Sequence, residues 1–254
     1  MNSTPPPAPP PVALRLPLSK PRWTYAFLAA IGVMFVVEIV TGASNFAGTG
    51  DPQALIALGA NYAPRVIAGE YWRLFTANFL HIGLLHIFFN GYALYVLGQE
   101  VESLYGSLRF SVIFLVACVS GAVASFALTF GLSAGASTGI FGLIGTLIAF
   151  FARNRKLFGQ LGRARLNNLL IIGLINVVYG LSNPEIDNWG HVGGFIAGLT
   201  LGWLLCPWYQ IEQQIDGSRR VIDRNSLQAE WIGVGLFALL LIVAFIAALS
   251  LHQA

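Results

Sequence analysis

A serine, two histidines and an asparagine are the residues of this chain best suited to chemistry on a carbonyl group. Ser137 lies in residues 135–139, GASTG, which fit the G-x-S-x-G pattern found at nucleophilic serines. A serine hydroxyl is a weak nucleophile near neutral pH and needs an adjacent base, usually a histidine. His191 is the candidate base, so the sequence predicts a serine–histidine pair. The pentapeptide alone is a weak signal, because Gly and Ser are also common where membrane helices pack.

His86 and Asn90 are candidates to stabilise the oxyanion that forms when a serine attacks a carbonyl. They are four residues apart and share one face of a helix, whereas His81 points away from that face. A well-placed hydrogen-bond donor contributes roughly 3 to 4 kcal/mol to such catalysis. The alternative is that both side chains only bond neighbouring helices. His81 is interpreted as structural.

No metal ion and no cofactor are predicted. A helical zinc site favours histidines at i and i+4 with acidic or cysteine ligands nearby, and the spacing of His81 and His86 does not fit it. Cys118 and Cys206 fall in separate apolar stretches, which suggests neither a disulfide framework nor a cysteine metal site.

Two carboxylates are candidates for the third member of a catalytic triad, and neither is favoured. Asp187 lies four residues before His191 but near the outer surface of the expected bundle, and Glu38 lies in the first apolar stretch. An ionisable residue in a membrane helix needs a polar partner. We therefore expect a dyad, with Glu38 hydrogen-bonded to a neighbouring helix.

The composition predicts that these polar residues are positioned by membrane helices. Of 254 residues, 56% are apolar and 10% are charged, against about a quarter charged in soluble domains. Soluble folds are therefore disfavoured, and an all-α membrane protein is predicted. Seven apolar stretches approach the length that crosses a bilayer: 25–40, 79–97, 110–130, 137–151, 166–181, 189–206 and 231–251.

The basic residues predict the orientation of these stretches. Lys and Arg near the ends of spans are retained on the cytoplasmic side, and most of them precede span one or follow spans two, four and six. The amino terminus is then cytoplasmic and the carboxyl terminus outside, in the plasma membrane or bacterial inner membrane. Topology thus explains the net charge of +3 without a nucleic-acid partner. The lipid bilayer is the expected surrounding.

Three polar helices are expected to hold their side chains at one depth. His86, Ser137 and His191 each lie roughly sixteen residues, or about 24 Å, from the residues that mark the cytoplasmic ends of their helices. Within a hydrocarbon core of about 30 Å, this level lies below the outer surface. Gly135 and Gly194 belong to sets of glycines that permit close helix approach, which a Ser137–His191 hydrogen bond needs.

These motifs resemble those of the rhomboid family of intramembrane serine proteases. Residues 81–90 resemble the family's second-helix histidine and asparagine motif, 135–137 its nucleophile motif, and 190–194 its sixth-helix motif. Trp72 and Arg73 resemble a characteristic pair in the first external loop, and Glu102 matches a structural acid after helix two. The resemblance covers roughly residues 23–207.

The resemblance implies a six-helix bundle with one additional C-terminal transmembrane helix. The corresponding division is a Pro-rich disordered cytoplasmic tail (1–22), a catalytic core (23–207), a cytoplasmic linker (208–228) and a seventh helix (229–254). It implies the following roles: Ser137 as nucleophile, His191 as general base and acid, His86, Asn90 and the Ser137 N–H as the oxyanion site, and Phe141 stacked on His191, with Gly135 and Gly194 as supporting residues. Thr138 departs from the family, which usually has Gly there, and this leaves the oxyanion geometry open.

The implied activity is cleavage of single-span membrane proteins near the outer face. The main alternative is an inactive rhomboid-like protein that binds membrane clients without cutting them, and loss of Ser137 or His191 would be its signature. A transporter is less favoured, because the sequence contains no internal repeat. The sequence does not predict the oligomeric state.

Overall fold

The computed structural model describes residues 18–129, 131–214, 219–225 and 227–253. The Pro-rich tract at residues 5–11, for which disorder was predicted, lies outside them. The described chain is mostly helical, at 74%. Its elements, in chain order, are α1 (Arg22–Thr41), α2 (Pro52–Leu58), β1 (Asn61–Tyr62), α3 (Ala63–Ile67), α4 (Arg73–Thr76), a 3-10 turn (Ala77–Phe79), α5 (Leu84–Ala93), a π-turn (Leu94–Gly98), α6 (Gln99–Tyr105), α7 (Ser107–Leu128), β2 (Leu132–Ser133), α8 (Ser137–Arg153), α9 (Arg155–Leu181), α10 (Asn188–Leu204), β3 (Tyr209–Gln213), β4 (Arg219–Asp223) and α11 (Leu227–Gln253).

Four of the described helices, α1, α7, α9 and α11, are long and apolar enough to cross a membrane. A fifth span is possible through a bent pair, in which Arg73–Phe79 and Leu84–Tyr105 meet at 94°. Helices α8 and α10 have 17 residues each, near the lower limit of about 17 to 25 residues that cross a bilayer. The prediction of seven spans therefore requires that both α8 and α10 cross the membrane.

Helices α7, α8 and α10 form the centre of the bundle, because glycines let their backbones approach closely. A Cβ atom at Gly198 of α10 would overlap the backbone of Gly142 in α8, and one at Gly145 would lie 2.6 Å from the Phe195 oxygen. Most side chains of α8 are buried. The close packing predicted from the small residues is therefore present where the serine and histidine helices meet.

The two ends of α1 are anchored by buried carboxylates. Near its start, Glu102 accepts hydrogen bonds from Trp23 N (3.0 Å) and Thr24 N (2.7 Å), which have no carbonyl partner within the helix. Near its end, Glu38 Oε1 accepts from His81 N at 2.8 Å. Glu38 therefore joins α1 to the segment before α5, which is the kind of contact expected for it from the sequence.

Arg73 organises the segment between α1 and α5, which contains α2, α3 and α4. Its side chain is 4% exposed and donates to Glu70 Oε2 at 2.8 Å and to the carbonyls of Ile56 and Ala60. Its guanidinium carbon lies 4.6 Å from the centre of the Trp72 ring. The pair that the resemblance singled out thus combines a buried arginine with a cation–π contact to a half-exposed tryptophan.

The segment 208–228, which the sequence presented only as a linker, contains the antiparallel hairpin β3–β4. Arg109 at the start of α7 pairs with Asp223 at 2.6 Å. Tyr209 donates its hydroxyl to Leu104 O at 2.7 Å. Burial raises the pKa of Tyr209 to about 12, so the hydroxyl remains a donor at neutral pH. These contacts attach the hairpin to the ends of α6 and α7.

We expect Gly198→Ala to destabilise the bundle by about 1 to 3 kcal/mol, because the new methyl group overlaps the Gly142 backbone. Equilibrium unfolding in mixed micelles measures the change. The matched control is Gly173→Ala in α9, where an added Cβ has nothing within 4 Å. A Gly198 variant as stable as the control would contradict the close approach of α8 and α10.

We expect Glu70→Gln to lower the melting temperature at pH 7, with the deficit disappearing as the medium is acidified. The hydrogen bond from Arg73 holds the pKa of Glu70 below its usual value of 4.5. The carboxylate therefore stabilises the fold fully above pH 4.5, and this stabilisation is lost as pH falls through the lower folded-state value. Glu185→Gln, at an exposed carboxylate, serves as the control. A pH-independent deficit would be inconsistent with an ionic contribution.

Candidate active site

Ser137 and His191 lie in hydrogen-bonding contact at the start of two adjacent helices. Ser137 is the first residue of α8, and His191 lies in the first turn of α10. The Ser137 Oγ and His191 Nε2 atoms are 2.9 Å apart. A neutral imidazole that accepts the serine proton at Nε2 is the arrangement that activates a serine nucleophile.

The His191 ring is oriented by Phe141, one helical turn after Ser137. The two rings are stacked, with centroids 4.2 Å apart and an interplanar angle of 12°. Phe141 is 8% exposed, so its own position is fixed by the core. The helix that carries Ser137 therefore also holds the face of the His191 ring.

Asp187 holds the start of α10 and forms no hydrogen bond to the His191 ring. Its Oδ1 accepts from Gly190 N at 2.9 Å, which caps the helix, and its Oδ2 accepts from Ser133 Oγ at 2.6 Å. Both carboxylate oxygens are thus engaged by groups other than the His191 ring. Among the described residues, the His191 ring is hydrogen-bonded to Ser137 and not to Asp187.

His86 and Asn90 converge on the backbone just before Ser137. A Cβ atom at Gly135 would lie 2.8 Å from His86 Nε2 and 3.7 Å from Asn90 Nδ2. Gly135 has a φ of 137°, which disfavours any side chain there. Its missing Cβ therefore leaves a space that both the His86 and the Asn90 side chains border.

The tautomer of His86 follows from its second nitrogen. Ile82 N donates to His86 Nδ1 at 3.3 Å, so Nδ1 is the acceptor and the ring proton is assigned to Nε2. That proton faces the space beside Gly135. The Ser137 N–H is a further donor, because the first residues of a helix have no carbonyl one turn before them.

The loop that presents Ser137 is bonded to the segment that precedes α5. Gly135 N donates to Ala77 O at 2.9 Å, and Ala136 N donates to His81 Nε2 at 3.3 Å. On the other side of Ser137, Thr138 Oγ1 donates to Asn78 Oδ1 at 2.7 Å. His81 is fully buried and has the structural contact expected of it.

Asn78 and Ser133 are two residues at the site that the sequence reasoning missed. Asn78 is 3% exposed and lies one residue before the predicted second span. A polar residue within a membrane span is expected to have a polar partner. A second span predicted to begin one residue earlier would therefore have included Asn78 among the candidates. No sequence pattern indicated Ser133, because its hydrogen-bond partner Asp187 lies 54 residues away along the chain.

Potential metal ligands do not cluster in the part of the chain that the structure describes. In that part, no group of three or more His, Cys, Asp or Glu residues is arranged to hold a metal ion. The polar groups around Ser137 are instead an imidazole pair, an amide and backbone N–H groups. These groups are suited to acyl transfer through a serine ester.

Comparison with known proteins places these residues in a recognised family. The family model for the Rhomboid domain matches residues 68–208, which include Ser137, His191, His86 and Asn90. That range is more than half of the chain.

Curated relatives support the same family. The chain is 42% identical to the rhomboid protease GluP of Bacillus subtilis (strain 168) over 180 residues, which are 70% of this chain and 34% of GluP. It is 33% identical to the rhomboid-like protease 1 of Toxoplasma gondii over 153 residues, 59% of this chain and 52% of that protein. It is 30% identical to RHOMBOID-like protein 2 of Arabidopsis thaliana over 181 residues, 70% of this chain and 56% of that protein.

The chain thus spans between about a third and just over half of the length of these relatives. The family model and the relatives agree with the motifs, the apolar helices and the geometry around Ser137. The chain belongs to the rhomboid family and is an integral multi-pass membrane protein.

Proposed function

We propose that this protein is an intramembrane serine endopeptidase in which Ser137 and His191 form the catalytic dyad. The observation that carries the proposal is the 2.9 Å contact between Ser137 Oγ and His191 Nε2. The convergence of His86 and Asn90 beside Gly135 supports it. Two of the relatives named above are themselves called proteases.

The proposed reaction proceeds through an acyl-enzyme. His191 Nε2 takes the proton of Ser137 as Oγ attacks the scissile carbonyl, and the imidazolium then donates this proton to the leaving amine. Water then attacks the ester as it gives a proton to His191, and His191 returns this proton to Ser137 Oγ as the acid is released and Ser137 is regenerated. In both tetrahedral intermediates the oxyanion accepts from His86 Nε2, Asn90 Nδ2 and Ser137 N.

The proposed arrangement in the membrane is six core helices and a seventh. The six are α1, the limb formed by α5 and α6, α7, α8, α9 and α10. Helix α11 is the additional helix. The basic residues Lys20, Arg109 and Arg153 lie at one end of this set, which we assign to the cytoplasmic side of a plasma or bacterial inner membrane. The amino terminus is then cytoplasmic, the carboxyl terminus is outside, and the dyad lies toward the outer face.

The proposed substrates are single-span membrane proteins cut near the outer face. A carbonyl within a helix is hydrogen-bonded and shielded, so the scissile segment must unwind before Ser137 reaches it. Small or helix-breaking residues make unwinding easier. The dyad therefore favours transmembrane segments that contain such residues near their outer end.

An inactive, client-binding protein is the alternative function, and the geometry does not favour it. A binding protein has no need for a serine hydroxyl in contact with an imidazole. It also has no need for two donors held beside a glycine that leaves room for a carbonyl oxygen. Both features are present in this chain.

We expect Ser137→Ala and His191→Ala each to reduce cleavage of a single-span substrate in liposomes by at least about 10⁴-fold. Ser250→Ala is the matched control, since this α11 hydroxyl bonds only its own helix at Ile246 O. Melting temperatures of all variants establish that they are folded. Cleavage that survives either change in the dyad would refute the proposed mechanism.

We expect Asn90→Ala to reduce kcat by about 10² to 10³-fold while KM changes little, because one of several oxyanion donors is lost. Steady-state kinetics on the same substrate measures both constants. The loss is smaller than for Ser137→Ala, since His86 and Ser137 N still bond the oxyanion. A folded Asn90 variant without any detectable activity would contradict this ranking.

A further inference from the structure

We propose that the hydrogen bond from Thr138 to Asn78 positions the nucleophile, so that both residues are positioning residues for the peptidase reaction. This inference rests on the proposed function, because it concerns the geometry of Ser137 during catalysis. Neither side chain forms a hydrogen bond with the side chain of Ser137 or His191. The two residues would affect the position of Ser137 through the backbone on either side of it.

The first observation is that Ser137 lies between hydrogen bonds to one short segment. Before it, Gly135 N and Ala136 N donate to Ala77 O and His81 Nε2. After it, Thr138 Oγ1 donates to Asn78 Oδ1 at 2.7 Å. The bond from Thr138 is thus the contact that fixes the far side of the serine to residues 77–81.

The second observation is that Asn78 is itself held in place. Its Nδ2 donates to Leu74 O at 2.9 Å and to Phe75 O at 3.1 Å, which are carbonyls of α4. Its Oδ1 therefore points in a fixed direction toward Thr138. Because Asn78 is 3% exposed and Thr138 is 5% exposed, water does not compete for this bond.

The third observation is that the neighbouring helices make room for the Thr138 side chain. A Cβ atom at Gly121 of α7 would lie 2.5 Å from Thr138 Cβ, and one at Gly194 of α10 would overlap the Thr138 backbone. A threonine at this point is therefore enclosed by α7 and α10. Its hydroxyl has to find a partner inside the protein, since an unpaired buried hydroxyl is destabilising.

The consequence is a fixed direction for the Ser137 N–H and Oγ groups. The peptide groups of residues 135–138 form the first turn of α8 and the turn before it, where no earlier helical turn restrains them. The three hydrogen bonds to residues 77–81 replace that restraint. Loss of the Thr138 bond leaves the turn free to rotate, and a shift of about 1 Å at a catalytic group lowers rates by about 100-fold.

The test compares Thr138→Val, which removes the hydroxyl but keeps the branched shape, with Thr138→Ser, which keeps the hydroxyl. With a single-span substrate in liposomes, we expect Thr138→Val to lower kcat between about 10-fold and 100-fold with KM within about twofold. We expect Thr138→Ser to restore kcat to within about threefold of the wild type, because a hydroxyl donor to Asn78 is present again.

A double variant separates the bond from the individual side chains. Asn78→Leu removes the acceptor and also the Nδ2 donor to Leu74 O and Phe75 O, and its combination with Thr138→Val leaves no unpaired group at the contact between the two side chains. If the two residues act through their mutual bond, the double variant loses no more kcat than Asn78→Leu alone. Losses in kcat that multiply would overturn the inference.

Thr146→Val is the control for a purely structural role. Thr146 is a fully buried threonine of the same helix, and its hydroxyl bonds Gly142 O and Gly198 O. We expect this variant to melt at a lower temperature with kcat unchanged. If Thr138→Val behaves in the same way, the bond only stabilises the fold and the inference is wrong, whereas the proposed function stands as long as Ser137→Ala is inactive. A wild type that cleaves nothing would overturn both.

Discussion

The contact between Ser137 Oγ and His191 Nε2 depends on how closely α8 and α10 approach. A 2.9 Å hydrogen bond between short side chains of two helices requires backbones that nearly touch. Gly194 and Gly198 provide this, because any side chain there would overlap the backbone of α8. The chemistry at one end of the bundle thus follows from glycine packing along its length, and Phe141 then sets the angle of the imidazole.

Several polar groups buried in the apolar bundle pair with groups from other segments, because burial of a polar group without a partner is destabilising. Glu102 accepts from the free N–H groups of α1, Arg73 donates to the Ile56 and Ala60 carbonyls, and Arg109 pairs with Asp223. Each of these contacts connects two separate elements. Burial of charge is therefore used here to fasten loops and helix ends rather than to create further reactive sites.

Much of the site was predictable because residue type, spacing and depth are all visible in a sequence. Ser137, His191, His86 and Asn90 were found in this way, and the structure brings them together. Contacts that depend on the path of a loop, such as the hydrogen bond between Ser133 and Asp187, could not be predicted from the sequence. The hairpin in segment 208–228 was missed for a similar reason, because its polar residues resemble those of a linker and its position depends on Arg109 and Tyr209.

The hairpin also determines how α11 stays attached. Only 6% of the apolar window of α11 is buried, and its contacts with α7 include Phe245 against Phe126. So small an interface would hold two separate chains together weakly. Because β4 is fastened to α7 and leads directly into α11, association becomes an intramolecular event at a high effective concentration. A short connection thus allows a helix with few buried residues to remain part of the bundle.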